Sequence, residues 1–161
     1  MVKGYSRAQI SLHWAVFLLV IYNLLMGDDM SHLWRSLRQD PNAATTTGAW
    51  AHIIVGVLVL VLVLWRLALR FTRGVPPAPA GESGALALLG AAGHVALYIL
   101  MLALPITGLL AWYGGVTALA QPHGEILKLL LWVMIVLQVG AALYHQFVLK
   151  DNLLARMRKP G

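Results

Sequence analysis

Val55-Gly56-Val57-Leu58-Val59-Leu60-Val61-Leu62-Val63-Leu64, closed by Trp65-Arg66, carries no polar side chain before its final arginine. Extended back to Gly48, it is an apolar stretch of 18 residues, close to the roughly 20 that an α-helix needs to cross the hydrocarbon core of a bilayer. Three other stretches share this character, at about 10–26, 86–112 and 124–149. The four take up most of the 161 residues, leaving no length for a separate soluble domain. The expected fold is all-α, an integral membrane four-helix bundle that forms a single transmembrane domain over residues 1–161.

Composition agrees. The chain is 60% hydrophobic and 11% charged, against about 25% charged residues in an ordinary soluble domain. Its net charge of +6 is explained by lysine and arginine gathering on cytoplasmic loops. No basic run interleaved with aromatics points to nucleic acid. With no cysteine, disulfides, iron–sulfur clusters, thiolate-ligated haem and covalently attached haem are excluded.

The first stretch follows Lys3 and Arg7, as a secretory signal would. It lacks a small-x-small cleavage site and carries His13, Trp14 and Asn23, so it reads as a retained helix. A polar loop over 28–47 contains Asp40-Pro41-Asn42, with a short interfacial turn expected at 31–37. Pro76, Pro77, Pro79, Gly81 and Gly84 read as a non-helical linker, and Pro105 with Gly108 predicts a kink in the third span. With the N-terminus inside, nine of the 12 lysines and arginines fall on the inner side, leaving Arg35, Arg38 and Lys128 outside. Both termini are expected in the cytoplasm, in a multi-pass protein of the bacterial inner membrane.

Histidine carries the chemistry. His32 lies in the loop, but His13, His52, His94, His123 and His145 sit in or at the ends of the spans. An ionisable residue there is costly and faces the bundle interior with a partner. One such histidine is explained by an interhelical hydrogen bond; a set spread over four helices asks for more. At 1.5 Å per residue, His13 lies about 9 Å from Arg7 and His145 about 7.5 Å from Lys150, at similar depths near the inner face. His52 and His123 share a level near the outer face. Two imidazoles on facing helices are the donor set of a bis-histidine haem, whereas zinc would lack its remaining ligands. His94, after Gly93, is a candidate ligand, quinone partner or interhelical hydrogen bonder. Arg66, with Arg70 second, is placed to receive haem propionates.

Several segments resemble bacterial cytochrome b561 proteins: Tyr5-Ser6-Arg7 leading to Ser11-Leu12-His13-Trp14, Ala51-His52 with Gly56, Val63-Leu64-Trp65-Arg66-Leu67, Gly93-His94 with Tyr98, Leu104-Pro105-Ile106-Thr107-Gly108 and Lys150-Asp151-Asn152. The resemblance spans essentially the whole chain. It implies a four-helix cytochrome with two b-type haems, one near each membrane face, passing single electrons to or from quinone. Some members that this chain resembles oxidise superoxide at the outer face and reduce ubiquinone. His13 matches the helix-one ligand, His52 the helix-two ligand, and His123 the histidine at the head of helix four. Where the family has a second ligand further along helix four, Leu137-Gln138 stands here. His145 resembles a family histidine near the quinone site. Three readings of the inner haem follow: His145 completes it, His94 does, or that haem is altered or missing. His145 is the reading taken, so the haem-iron ligands expected are His13, His52, His123 and His145.

The leading function is therefore a membrane b-type cytochrome carrying electrons across the bilayer between an outer-face donor, superoxide being one candidate, and the quinone pool. Arg35, Arg38, Lys128 and His32 would steer an anion there, against Asp28 and Asp29. The alternatives are a cytochrome subunit anchoring a larger oxidoreductase, such as a hydrogenase or formate dehydrogenase, and a transporter or structural bundle without haem whose histidines only bond helices together.

Overall fold

The computed structural model describes residues 4–77 and 83–161, and the regular structure among them is helical, with no strand. Lys3, Pro79 and Gly81, used above for the charge and linker arguments, lie outside the described residues. The main helices are α1 (Arg7–Leu25), α2 (Asp28–Gln39), α3 (Thr47–Arg73), α4 (Gly84–Trp112) and α5 (Lys128–Tyr144). A π-helical turn, Pro122–Leu127, leads into α5 and a second, His145–Leu149, leads out. Four segments are long and apolar enough to cross a membrane: Arg7–Leu25, Thr47–Arg73, Gly84–Trp112 and Thr117–Leu149.

Capping explains why three helices begin ahead of their apolar runs. Ser6 Oγ accepts from the Gln9 N–H at 3.3 Å while Gln9 Oε1 accepts from the Ser6 N–H at 2.9 Å, a reciprocal box that satisfies two otherwise orphaned donors. Thr46 Oγ1 accepts from Ala49 N–H at 3.2 Å and Ser83 Oγ from Leu86 N–H at 3.3 Å. Hydropathy marks only the stretch that fits the membrane; the caps mark where the helix starts. Gly84 thus opens α4 instead of belonging to the linker. Likewise Pro122 lies within the helical lead to α5, where it occupies the first turn and loses no needed donor.

The loop expected after α1 is largely the 12-residue helix α2. Its apolar residues Met30, Leu33, Trp34 and Leu37 recur at i, i+3, i+4 and i+7, the spacing of one helical face. Leu33 is buried, and the Trp34 ring packs against Trp112 with centroids 6.2 Å apart. Asp28 and Asp29 sit in the first turn and Arg38 in the last, which suits the helix dipole.

In sequence α1 packs on α3, α3 on α4 and α4 on α5, with α2 against α3. The core is a layer of Val16 and Val20, Val59 and Val63, Leu100 and Met101, and Leu131, drawn from all four long helices. Outward faces remain apolar: Leu18, Ile54, Leu88 and Val136 are each more than half exposed, as side chains meeting lipid should be. Gly161 N–H bonds to the Tyr5 carbonyl at 3.3 Å and Trp14 Nε1–H to the Met157 carbonyl at 2.9 Å. The segments around Tyr5 and Gly161 therefore lie together at one end of the bundle, called the terminal end below; α2 and the π turn at Pro122–Leu127 mark the distal end.

Candidate cofactor site

His52 stands in the second turn of α3 and His123 in the π turn before α5. Their rings meet in a T-shaped, edge contact with centroids 6.0 Å apart and planes at 88°. The two imidazoles would together hold a haem iron, one nitrogen from each ring.

The environment of His123 fixes which nitrogen is available. Its Nδ1 lies 2.9 Å from the Leu104 carbonyl, which can only accept, so Nδ1 carries the proton and Nε2 presents a lone pair. Thr107 Oγ1, bonded to the Ala103 carbonyl at 2.7 Å, sits 3.3 Å from the same Nδ1. Gly108 makes room for the ring: a Cβ there would fall 2.9 Å from His123 Cε1 and 3.3 Å from Nδ1. On the other side, Asn23 Nδ2–H donates to the His52 carbonyl at 3.2 Å. Asn23 Oδ1 and His52 Nδ1 are buried with no hydrogen-bond partner among the described residues.

A cavity of about 610 Å³ contains both histidines, within the roughly 300–1,000 Å³ of cofactor and ligand sites. Val20, Val59, Met101 and Leu131 of the core layer form its floor, and Trp34 and Trp112 lie in its wall. Arg35, Arg38 and Lys128 also line it, together with Glu125. Cations are therefore available at the distal end to meet carboxylates, a role the sequence suggested for Arg66 at the other end.

The terminal end differs in kind. His13 Nδ1 lies 3.1 Å from Arg66 Nη2, and the Arg66 guanidinium rests over the Tyr98 ring at 5.6 Å, with Arg70 at 5.9 Å. His94 Nδ1 donates to the Gly90 carbonyl of its own helix at 2.7 Å. A cavity of about 40 Å³ lies among Tyr5, His13, Arg66, His94 and Tyr98. Burial pushes the Tyr5 phenol above its ordinary value, against the pull of Arg70.

His145 does not line that cavity. It is buried in the π turn after α5, and its Nδ1 is hydrogen-bonded to the Asp151 carboxylate. Lys150 at φ 55° and Asn152 at φ 57° adopt left-handed backbone, which turns the chain sharply enough to bring Asp151 back onto His145. Gln138 follows Leu131, Met134 and Ile135 along α5 at the spacing of one helix face, and those three belong to the core or pack against it.

The structure thus brings His52 and His123 together, gathers His13, Arg66 and His94 separately, and gives His145 another neighbour. Gly108, the Leu104 carbonyl, Trp34 and Asn23 complete the distal site and were not singled out as site residues by the sequence. The face of α2 was readable from its i, i+3, i+4, i+7 pattern; the carbonyl was not, because any residue supplies one.

Residues 4–160 match the sequence profile of the family described as prokaryotic cytochrome b561. Cytochrome b562 of Cereibacter sphaeroides is 40% identical over 159 residues, covering 98% of this chain and 96% of that protein. The probable superoxide oxidase CybB of Yersinia pestis is 31% identical over 178 residues, covering 96% of this chain and 96% of that protein. Cytochrome b561 homolog 1 of Escherichia coli (strain K12) is 31% identical over 180 residues, covering 95% and 96%.

Proposed function

Since this chain belongs to the prokaryotic cytochrome b561 family and is a multi-pass membrane b-type cytochrome, we propose that it passes single electrons between a donor at the distal face and quinone in the bilayer, through haem b held by His52 and His123. The observation that carries this reading is the ring pair at 6.0 Å in perpendicular planes, opening on a cavity of about 610 Å³. The donor set suits iron of this kind, since neutral imidazoles on facing helices are common axial ligands.

Haem b supplies one-electron exchange when bound; the rest is done by the chain. The Leu104 carbonyl holds His123 in one tautomer, and Gly108 lets the ring reach its position. The packed layer under the cavity excludes water, which raises the strength of every charge interaction above it. Arg35, Arg38 and Lys128 give that end cations for the propionates and for an approaching anion.

For the donor, superoxide is the candidate that the cavity chemistry favours. Its oxidation to dioxygen releases one electron and consumes no proton, so the site needs cations to attract the anion and no acid. Three cations against Glu125 line the cavity. A relative is named a probable superoxide oxidase, which supports the same choice. Among the described residues, eight lysines and arginines belong to the terminal end or its adjoining segments, against three at the distal end, so we place the terminal end in the cytoplasm and the distal end outside the inner membrane.

The test is spectroscopic. Purified protein should show the absorption of low-spin b-type haem, and His52→Ala and His123→Ala should each abolish it. Mixing the oxidised protein with superoxide in a stopped-flow cell should produce the reduced spectrum. A low-spin haem that superoxide leaves oxidised would remove superoxide as donor; a colourless protein would remove the whole reading.

A further inference from the structure

The family resemblance implies two haems, but the residues at the terminal end do not fit the second. Building on the reading of the chain as a b-type cytochrome, we propose that it binds one haem only, at the distal site, and that the terminal site is a closed hydrogen-bond cluster around His13 and Arg66.

The first ground is the tautomer of His13. A guanidinium has donors and no acceptor, so in the 3.1 Å contact Arg66 Nη2 donates and His13 Nδ1 accepts. The neutral ring then keeps its proton on Nε2, and neither nitrogen is left with a lone pair for a metal. His123 is the converse: it donates from Nδ1 to the Leu104 carbonyl and leaves Nε2 bare. The same comparison of hydrogen-bond partners thus distinguishes His123 from His13 within one chain.

Space and partners point the same way. The cavity beside His13 is about 40 Å³, against about 610 Å³ at the distal end. At about 10–15 Å³ per ordered water, it holds a few waters and no macrocycle. The Arg66 guanidinium also rests over the Tyr98 ring while it bonds to His13. On α5, the core-facing row that could supply a trans ligand reads Leu131, Met134, Ile135 and then Gln138, and a carboxamide is outside the usual axial set of His, Met, Cys and Tyr. His145, beyond it, does not line the cavity that holds His13. His94 keeps a bare Nε2 by donating from Nδ1 to Gly90, yet it shares the same small cavity with His13.

The layer of Val16, Val20, Val59, Val63, Leu100, Met101 and Leu131 then separates the one haem from the terminal end. Electrons enter and leave through the distal half of the bundle, and no haem relay spans the membrane.

The deciding experiment titrates the purified full chain with haemin to saturation, removes the excess, and compares haem content with protein content. The expected ratio is one per chain, with a single one-electron component in a redox titration. A ratio of two, or two components, overturns the proposal and leaves the cytochrome reading standing. A ratio of zero overturns the cytochrome reading itself. His13→Ala and Arg66→Gln should each keep the wild-type haem content and spectrum; loss of half the haem in either folded variant overturns the proposal. The wild-type ratio decides even where a variant does not fold.

Discussion

The Gly108 Cα lies so close to the His123 ring that a single added methyl carbon would sit 2.9 Å from Cε1. Two helices approach within that distance only where one of them has no side chain. The ring's position, and with it the 6.0 Å spacing to His52, therefore depends on a residue that contributes no chemistry. Gly108→Ala is expected to displace the ring and weaken haem binding by about 10- to 100-fold, the usual range for loss of a group that orients a ligand. Gly140→Ala on α5 is the control, since its Cβ would meet nothing within 4 Å and the residue does not line the cavity. Haem titration of the two variants should separate them, and equal retention in both would show that the ring tolerates the shift.

The two axial candidates should behave symmetrically. Removing either imidazole leaves one ligand on a cavity open to small molecules. His52→Gly and His123→Gly, each supplied with free imidazole, should regain the low-spin absorption that they lack without it. Rescue of one variant alone would mean that only that histidine is a ligand. Alanine at His13 should need no rescue.

Much of this site could be read from the sequence, and the reason is periodicity. Four apolar runs give four spans, and their positions at the outer ends of two spans place His52 and His123 at one level without any coordinates. Interhelical hydrogen bonds obey no such rule. Nothing in the order of residues says that Arg66 bonds to His13 rather than to a propionate, or that Asp151 turns back to His145. The second case rests on two left-handed residues, Lys150 and Asn152, neither of them glycine. Depth alone does not pair residues either: His145, in the π turn after α5, stands at the same end as His13 but does not line its cavity.

Charge at the distal cavity sets a kinetic prediction. Steering by Arg35 and Arg38 acts on encounter with an anion, so it appears in the second-order rate and is screened by salt. Arg35→Gln with Arg38→Gln should slow haem reduction by superoxide about tenfold at low ionic strength, with a smaller difference at high salt. His32 accepts from Arg35 at 3.0 Å, so His32→Ala should alter the rate less than either arginine change. Stopped-flow traces over a salt series measure both effects, and a rate independent of these arginines would place the anion's approach elsewhere.

Asp151 carries a pH dependence of known sign. Burial pushes its carboxyl up, but the hydrogen bonds from His145 and from the Leu153 N–H, with Arg156 nearby, pull it further down, and it ends below the ordinary 3.8. A carboxyl with a lower pKa folded than unfolded stabilises the fold at every pH above its unfolded value. That contribution fades as pH falls through the folded value, where the native carboxylate is protonated. The wild-type protein should therefore be more heat-stable than Asp151→Asn through neutral pH and down to about pH 4, and the gap should close in more acid solution. The comparison should be made by thermal unfolding followed by circular dichroism, with haem content recorded alongside. Because the His145–Asp151 pair lies at the terminal end, away from His52 and His123, the haem spectrum should be the same in both proteins throughout. A gap that widens on acidification would mean that the carboxylate is not what holds His145 in its turn.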